Sequence, residues 1–317
     1  MAQQDPEQRP NMKPRRYPIA LIFCGLAFLL LGLVTYFWPR EVPQETLSTR
    51  SSSVTAPITN DASGDEENQK PSEANDGQHA LDPVLELAQE ALAKMRVEIR
   101  DYTATLLKRE RIGRSLSDES EMELKMINAQ EAMDDKPAIP VHVYLKFNAP
   151  SSSKGREVIW IEGQNKNQLV AHEGGFKNFL RMNLDPQGTI AMMGNRYPIT
   201  GIGMIRLVEK LIEKGTRDRE LGPCVVKIIE NEEVGGRTCR LIQVTHPTQE
   251  KGMDFHIAQI FFDSERMIPL RYAAFGWPPK EGEAPPLEEE YTYLNVQLNV
   301  GLSAEDFNPD NPKYQFP

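Results

Sequence analysis

The pairing that first invites a chemical reading is His172 and Glu173, in the run AHEGG. A zinc-protease helix places a second histidine four residues after the first, so that two imidazoles reach one ion from one face. Here that position is Phe176, and no metal site is expected. His142, His246 and His256 fall in strands or at their ends, and no cysteine or carboxylate spacing around them completes a ligand set. They read as surface or hydrogen-bonded histidines. Ser151, Ser152 and Ser153 lie in a loop between Pro150 and Gly155, and no G-x-S-x-G elbow occurs to activate a serine. Gly201 and Gly203 form a G-x-G without the third glycine of a dinucleotide fingerprint, which reads as a hinge. No catalytic residue and no cofactor site follow from these patterns, and the chain is read as not an enzyme.

The cysteines are equally reticent. Cys24 stands inside an apolar run, while Cys224 and Cys239 flank the Gly235-Gly236 turn. If one two-residue hairpin joins them, Cys239 faces residue 232 and Cys224 faces residue 247, an offset of roughly 26 Å that forbids a bridge. Glu281, Glu283, Glu288, Glu289 and Glu290 surround four prolines, the pattern of a solvated hairpin loop entering the last strand. A different signal comes from Met182, Met192, Met193 and Met204, which fall within 23 residues that also hold four glycines. Flexible thioethers beside glycines suit a mobile apolar lid that opens to admit a lipid-like chain, and they suit equally a plug in the core.

The elements that would position such groups emerge from periodicity. Asp82 followed by Pro83 opens a helix in which Val84, Ala88, Ala91, Leu92, Met95 and Ile99 repeat at helical spacing, Asp82 serving as its N-cap. Then the period becomes two. Strands are expected over residues 102–106, 121–126, 141–147, 158–161, 169–171 and 176–182, and again over 224–230, 237–245, 255–262, 270–275 and 290–300. Between the two sets, Met204, Leu207, Val208, Leu211 and Ile212 repeat as a helix, with Gly215 placed as its C-terminal cap. No βαβ alternation appears. Short turns make neighbouring strands antiparallel, and a sheet of about eleven strands curls, with helices against its hollow face.

Composition limits the address and the partners. The 317 residues carry a formal charge of -10, with acids outnumbering scattered bases, which excludes nucleic acid as a partner. Mean hydropathy of -0.49 excludes a polytopic membrane protein. Residues 18–38 (PIALIFCGLAFLLLGLVTYFW) hold no charge for 21 residues, enough to span about 30 Å of hydrocarbon. Arg9, Lys13, Arg15 and Arg16 precede the run, so residues 1–17 form a cytoplasmic tail and the remainder lies outside. A cleaved signal peptide is the rival reading; its apolar core would be shorter and followed by a small-residue cleavage site. Residues 39–80 lack aromatics beyond the segment's end and read as a disordered linker of about 40 residues, with a reach on the order of 35 Å. Residues 81–317 form the folded, extracytoplasmic domain. The expected location is a bacterial inner membrane, single-pass, with that domain in the periplasm.

The order of these elements resembles the fold of the periplasmic lipoprotein carrier LolA. At the level of segments, YTATLLKRERIG, VYLKFNAPSSSKGREVIWIEGQN, LVAHEGG and YTYLNVQLNVGLSAEDFNPDNPKYQF resemble a family of planctomycete envelope proteins, domain of unknown function 1571, over about residues 82–317. That family carries no established activity. The resemblance implies α+β architecture, a strongly curved antiparallel sheet or incomplete barrel, and binding of a lipid or lipoprotein acyl chain. Large apolar residues on alternating strand positions, Leu145, Phe147, Trp160, Phe179, Phe261 and Leu294, are the candidate pocket, with the four methionines as its lid. The expected role is a membrane-tethered, non-catalytic binder of a hydrophobic ligand. The alternative is a protein-interaction or regulatory module that holds an envelope partner on the same sheet.

Overall fold

The computed structural model describes residues 57, 69–71, 78–133, 137–175 and 178–317. The chain divides into two units, Met1–Thr55 and Ala56–Pro317. The first, with the expected cytoplasmic tail and membrane span, lies outside the described residues, as does most of the expected linker. Among the described residues no helix is long and apolar enough to cross a membrane.

The second unit is built on one antiparallel sheet of thirteen strands. Before the helical interruption come β1 (Gln69–Pro71), β2 (Asp101–Ile112), β3 (Ser115–Leu116), β4 (Ser120–Ile127), β5 (His142–Ala149), β6 (Glu157–Ile161), β7 (Leu169–His172) and β8 (Met182–Leu184). After it come β9 (Val225–Val234), β10 (Arg237–Thr245), β11 (Ile257–Asp263), β12 (Pro269–Phe275) and β13 (Leu287–Leu298). The helices are α1 (Asp82–Glu98), the single turn α2 (Thr189–Met192) and α3 (Met204–Leu221).

The spatial order is β1-β9-β10-β11-β12-β13-β2-β4-β5-β6-β7-β8, with β3 paired only to β2. After β1 at one edge, the chain passes through α1 to β2 at the middle of the sheet, meanders out to β8, crosses by α3 back to the side of β1, and meanders in until β13 pairs with β2. The path ends at β1 and β8 without closing, an incomplete barrel. A crossover from one edge to the other has to lie on a face of the sheet. The helix α3 does so, with Leu207 and Leu211 packed on Phe255, Ala258, Tyr272 and Ala274.

The expected strands are present with shifted ends and two short additions, β1 and β3. One differs in kind: the strand expected over 176–182 is Met182–Leu184, and residues 178–181 before it are turn and coil. Gly215 is not a cap. The helix α3 runs through it to Leu221, and at Gly215 it passes α1 so closely that a Cβ would stand 3.0 Å from the Leu85 side chain. Nor does Asp82 cap α1; its carboxylate binds the His79 N–H and the Arg219 guanidinium, joining the start of α1 to the end of α3.

The core fills the hollow side. Tyr102, Leu106, Met122, Leu124, Met126, Val143, Trp160 and Val208 are all buried in one cluster. On the outer face a smaller cluster of Ile127, Tyr144, Ile159 and Phe307 is covered by Leu302, Tyr314 and Phe316. The C-terminal segment after β13 thus straps the convex side of β4 to β7.

Candidate functional site

A cavity of about 670 Å³ lies between the hollow of the sheet and α3. Cross-strand partners share a face, so the ladder Leu106 to Met122 to Phe147 places one row of side chains inward. A second row runs Leu145 to Val158 to Ala171 to Met182. Together they make an apolar floor. The roof is Leu207 and Leu211 of α3 with Ile190, Ala191, Pro198 and Ile199 from the segment before it. That segment turns into α3 at Gly203, whose φ of 119° suits glycine, and where a side chain would strike the Met126 thioether. The Met204 N–H donates to the Tyr102 hydroxyl at 3.1 Å, which fastens the start of α3 to β2.

Toward β12 and β13 the wall becomes polar, with Lys108, Glu110, Tyr272, Glu289, Tyr291 and Lys214. The Glu110 carboxylate accepts from the Tyr291 hydroxyl at 2.5 Å and from the Arg196 N–H at 2.9 Å, and pairs with Lys108 at 3.0 Å. Lys108 in turn donates to Asn195 Oδ1 at 2.6 Å. Glu289 accepts from Tyr272 at 3.3 Å, and the Arg196 guanidinium stands 3.2 Å from it. Burial, then Glu289 and Glu110, push the Tyr291 hydroxyl far above its ordinary value, so it acts as a donor. These pairings bind the roof segment to the sheet.

Of the candidate pocket residues, Leu145 and Phe147 line the cavity. Trp160 shares their face, two positions from Val158, but is sealed in the core with its indole N–H directed at the Asn167 carbonyl. Phe261 is buried outside the cavity, with the Arg271 guanidinium 5.4 Å from its ring centre. Leu294 alternates away from the inward Tyr291 and Tyr293 and packs on the Gly235 turn. Phe179 stands 75% exposed in the turn before β8. The four methionines divide as well. Met182 is wall and Met193 is exposed rim, whereas Met192 is half-buried off the cavity and Met204 is core.

Sequence reasoning missed the polar wall. Glu289 reads in the sequence as part of the solvated loop that enters the last strand, yet it and Glu290 are buried in β13, and only the Glu281 and Glu283 part of that cluster is exposed. The available signal was parity: Glu289 alternates with Tyr291 and Tyr293, the inward positions.

The remaining chemistry-bearing groups lie elsewhere. His172 is fully buried on the convex face, 3.0 Å from Glu157, which also accepts from Tyr144 at 3.0 Å and from the Gln315 N–H at 2.8 Å. His142 packs edge-on against Phe307, and burial lowers its pKa. His246 is fully buried, without a hydrogen-bond partner on either ring nitrogen, 3.5 Å from the equally buried Asp218. Cys224 and Cys239 are free, Cys239 lying opposite Glu232 as expected, and burial pushes both thiols up to about 11.

The sequence pattern that builds this hollow is that of a known family model, which matches residues 99–316. The chain belongs to the family described as protein of unknown function, DUF1571. This DUF1571 protein is also similar in shape to several solved structures. One is a putative outer membrane lipoprotein-sorting protein domain from Vibrio parahaemolyticus, 15% identical, covering 71% of this chain and 95% of that one, with a TM-score of 0.33. Another is a LolA superfamily protein from Nitrosomonas europaea, 11% identical, covering 70% and 97%, with a TM-score of 0.28. In the Pseudomonas aeruginosa MucA/MucB complex the matched chain is 13% identical, with 71% of this chain and 60% of that one covered and a TM-score of 0.40. At such values the likeness does not extend to a ligand or a partner. No curated protein matches the chain in sequence.

Proposed function

We propose that this DUF1571 protein is a non-catalytic binder of a hydrophobic ligand, a lipid or an acyl chain, in the cell envelope. In this reading residues 18–38 hold it at the inner membrane and the sheet domain stands in the periplasm. The observation that carries the proposal is the cavity itself. Its volume of about 670 Å³ falls in the range of small-molecule sites, and its floor is two adjoining apolar rows, Leu106 to Phe147 and Leu145 to Met182. The test is native mass spectrometry with lipid extraction on the full chain, beside Leu145→Trp, which fills the cavity with an apolar ring. A lipid retained by the wild type and lost from a folded L145W is the expected result. The same lipid in both, or none in either across varied lipid conditions, overturns it.

A second reading, a protein-interaction module of the envelope, has one feature in its favour. β8 ends the sheet with no strand beyond it among the described residues, and an edge with unpaired backbone groups accepts an added strand. Stable co-purification of a protein, with no lipid in the cavity, would select this reading.

A further inference from the structure

Eleven large apolar side chains are exposed among the described residues, and five of them crowd into one stretch of 19 residues. These are Phe179 (75%), Leu180 (54%), Ile190 (64%), Met193 (73%) and Tyr197 (38%). Ile190, Met193 and Tyr197 line the cavity while facing outward, so they form its rim. Phe179 and Leu180 lead into β8, whose Met182 and Leu184 also line it. The cavity lining therefore reaches the outer surface at Ile190, Met193 and Tyr197.

We propose that this rim is a docking surface for a lipid bilayer, on which the mouth of the cavity seats. Exposed apolar clusters on a water-soluble domain mark protein or membrane contacts, and two features favour the membrane. The chain carries its own candidate tether: residues 18–38 are long and uncharged enough to span, and the roughly 30 residues between them and β1, with a reach on the order of 30 Å, keep the domain near that bilayer. The stretch that carries the rim residues also presents almost no free charge by which a protein partner would be selected, and the charges across the mouth on α3 are paired among themselves, Arg206 with Glu209 and Lys210 with Glu213. Residues 178–203 hold one acid, Asp185, and two bases, and both bases are spent: Arg181 on Asp310 at 2.7 Å and Arg196 on Glu288 at 3.2 Å. Side chains such as Phe, Tyr, Ile and Met enter the headgroup boundary by apolar burial, so docking does not require anionic lipid. The contact goes beyond the ligand reading, since the rim meets the membrane whether the cavity is full or empty.

The experiment places a tryptophan reporter at the rim, Met193→Trp, or on α1 outside it, Val97→Trp, in the full chain. Val97 is 82% exposed, so both positions tolerate the larger ring. Each protein is reconstituted in phosphatidylcholine vesicles with plain or brominated acyl chains, and emission above that of the unsubstituted chain is compared. Brominated chains are expected to remove roughly half or more of the added M193W emission, with or without phosphatidylglycerol, and to leave V97W unchanged. Equal M193W emission in the two lipids, or equal quenching at both positions, overturns the proposal. A quenched rim with an empty cavity would keep the docking and remove the ligand reading; an occupied cavity with an unquenched rim would do the reverse.

Discussion

Glu110 shows how much one side chain holds in place. Its carboxylate joins β2 to β13 through Tyr291 and to the roof segment through the Arg196 N–H, and its side chain is only 3% exposed. Glu110→Ala leaves a buried hydroxyl, an N–H and an ammonium short of an acceptor, and is expected to cost about 1–3 kcal/mol. Glu110→Gln, which keeps an acceptor, should cost less; urea midpoints of the two variants check both. His246 makes a second residue-scale prediction. Burial lowers its pKa against the upward pull of Asp218, and His256 and His79 lower it further. A depressed folded value means that the unfolded chain takes up the proton first. The stability is therefore present above about pH 6.5 and is lost as pH falls below that value. His142 contributes with the same sign. Urea midpoints are expected to drop from pH ~6.5 toward pH ~5, and His246→Leu should flatten part of that drop. A wild-type midpoint constant across that window would contradict the assignment.

At the scale of elements, α1 and α3 meet at Gly215. Gly215→Val puts a branched side chain where Leu85 already lies within contact, and overpacking of this kind is expected to cost roughly 1–3 kcal/mol. Equilibrium unfolding measures it, with the double variant Gly215→Val, Leu85→Ala expected to recover part of the loss. Gly215 also marks where the sequence misleads. A glycine three residues after the last well-spaced apolar residue looks like a cap, and nothing local reveals that the helix continues because a second helix needs the space. Strand positions were legible from alternation in β2 and β4, which bury one side against the core, whereas β11 and β12 are buried on both faces and read as apolar runs. The pocket was legible only by halves. Alternation identifies which residues face inward, as for Leu145 and Phe147, but not which inward residues meet empty space. Trp160 shares that face and is covered, whereas Phe261 and Leu294 fell outside the cavity once pairings and bulges were set. The rim residues Ile190 and Tyr197 sit in the single turn α2 and in irregular chain, where no period announces them.

For the molecule as a whole, the C-terminal strap and the order of the strands set the terms of assembly. Tyr314 stacks on Tyr144 at 4.4 Å between ring centres, and Gln315 and Phe316 close over Glu157 and His172. Deleting residues 314–317 uncovers that buried pair and is expected to lower stability by about 2–5 kcal/mol, read by thermal and urea unfolding. If the deletion leaves the midpoint unchanged, the strap is an ornament of the convex face. The meeting of β13 and β2 at the centre of the sheet has a temporal consequence. Tyr102 pairs with Leu298 across a separation of 196 residues, while nearly every other pairing joins neighbours along the chain. Each meander can form as its own strands emerge during synthesis, yet the seam between the halves waits for the last strand to be made. Until then both flanks of that seam are raw edges that invite mispairing with other chains. The protein is thus vulnerable longest at its middle, and a factor that guards it before completion would have to shield β2.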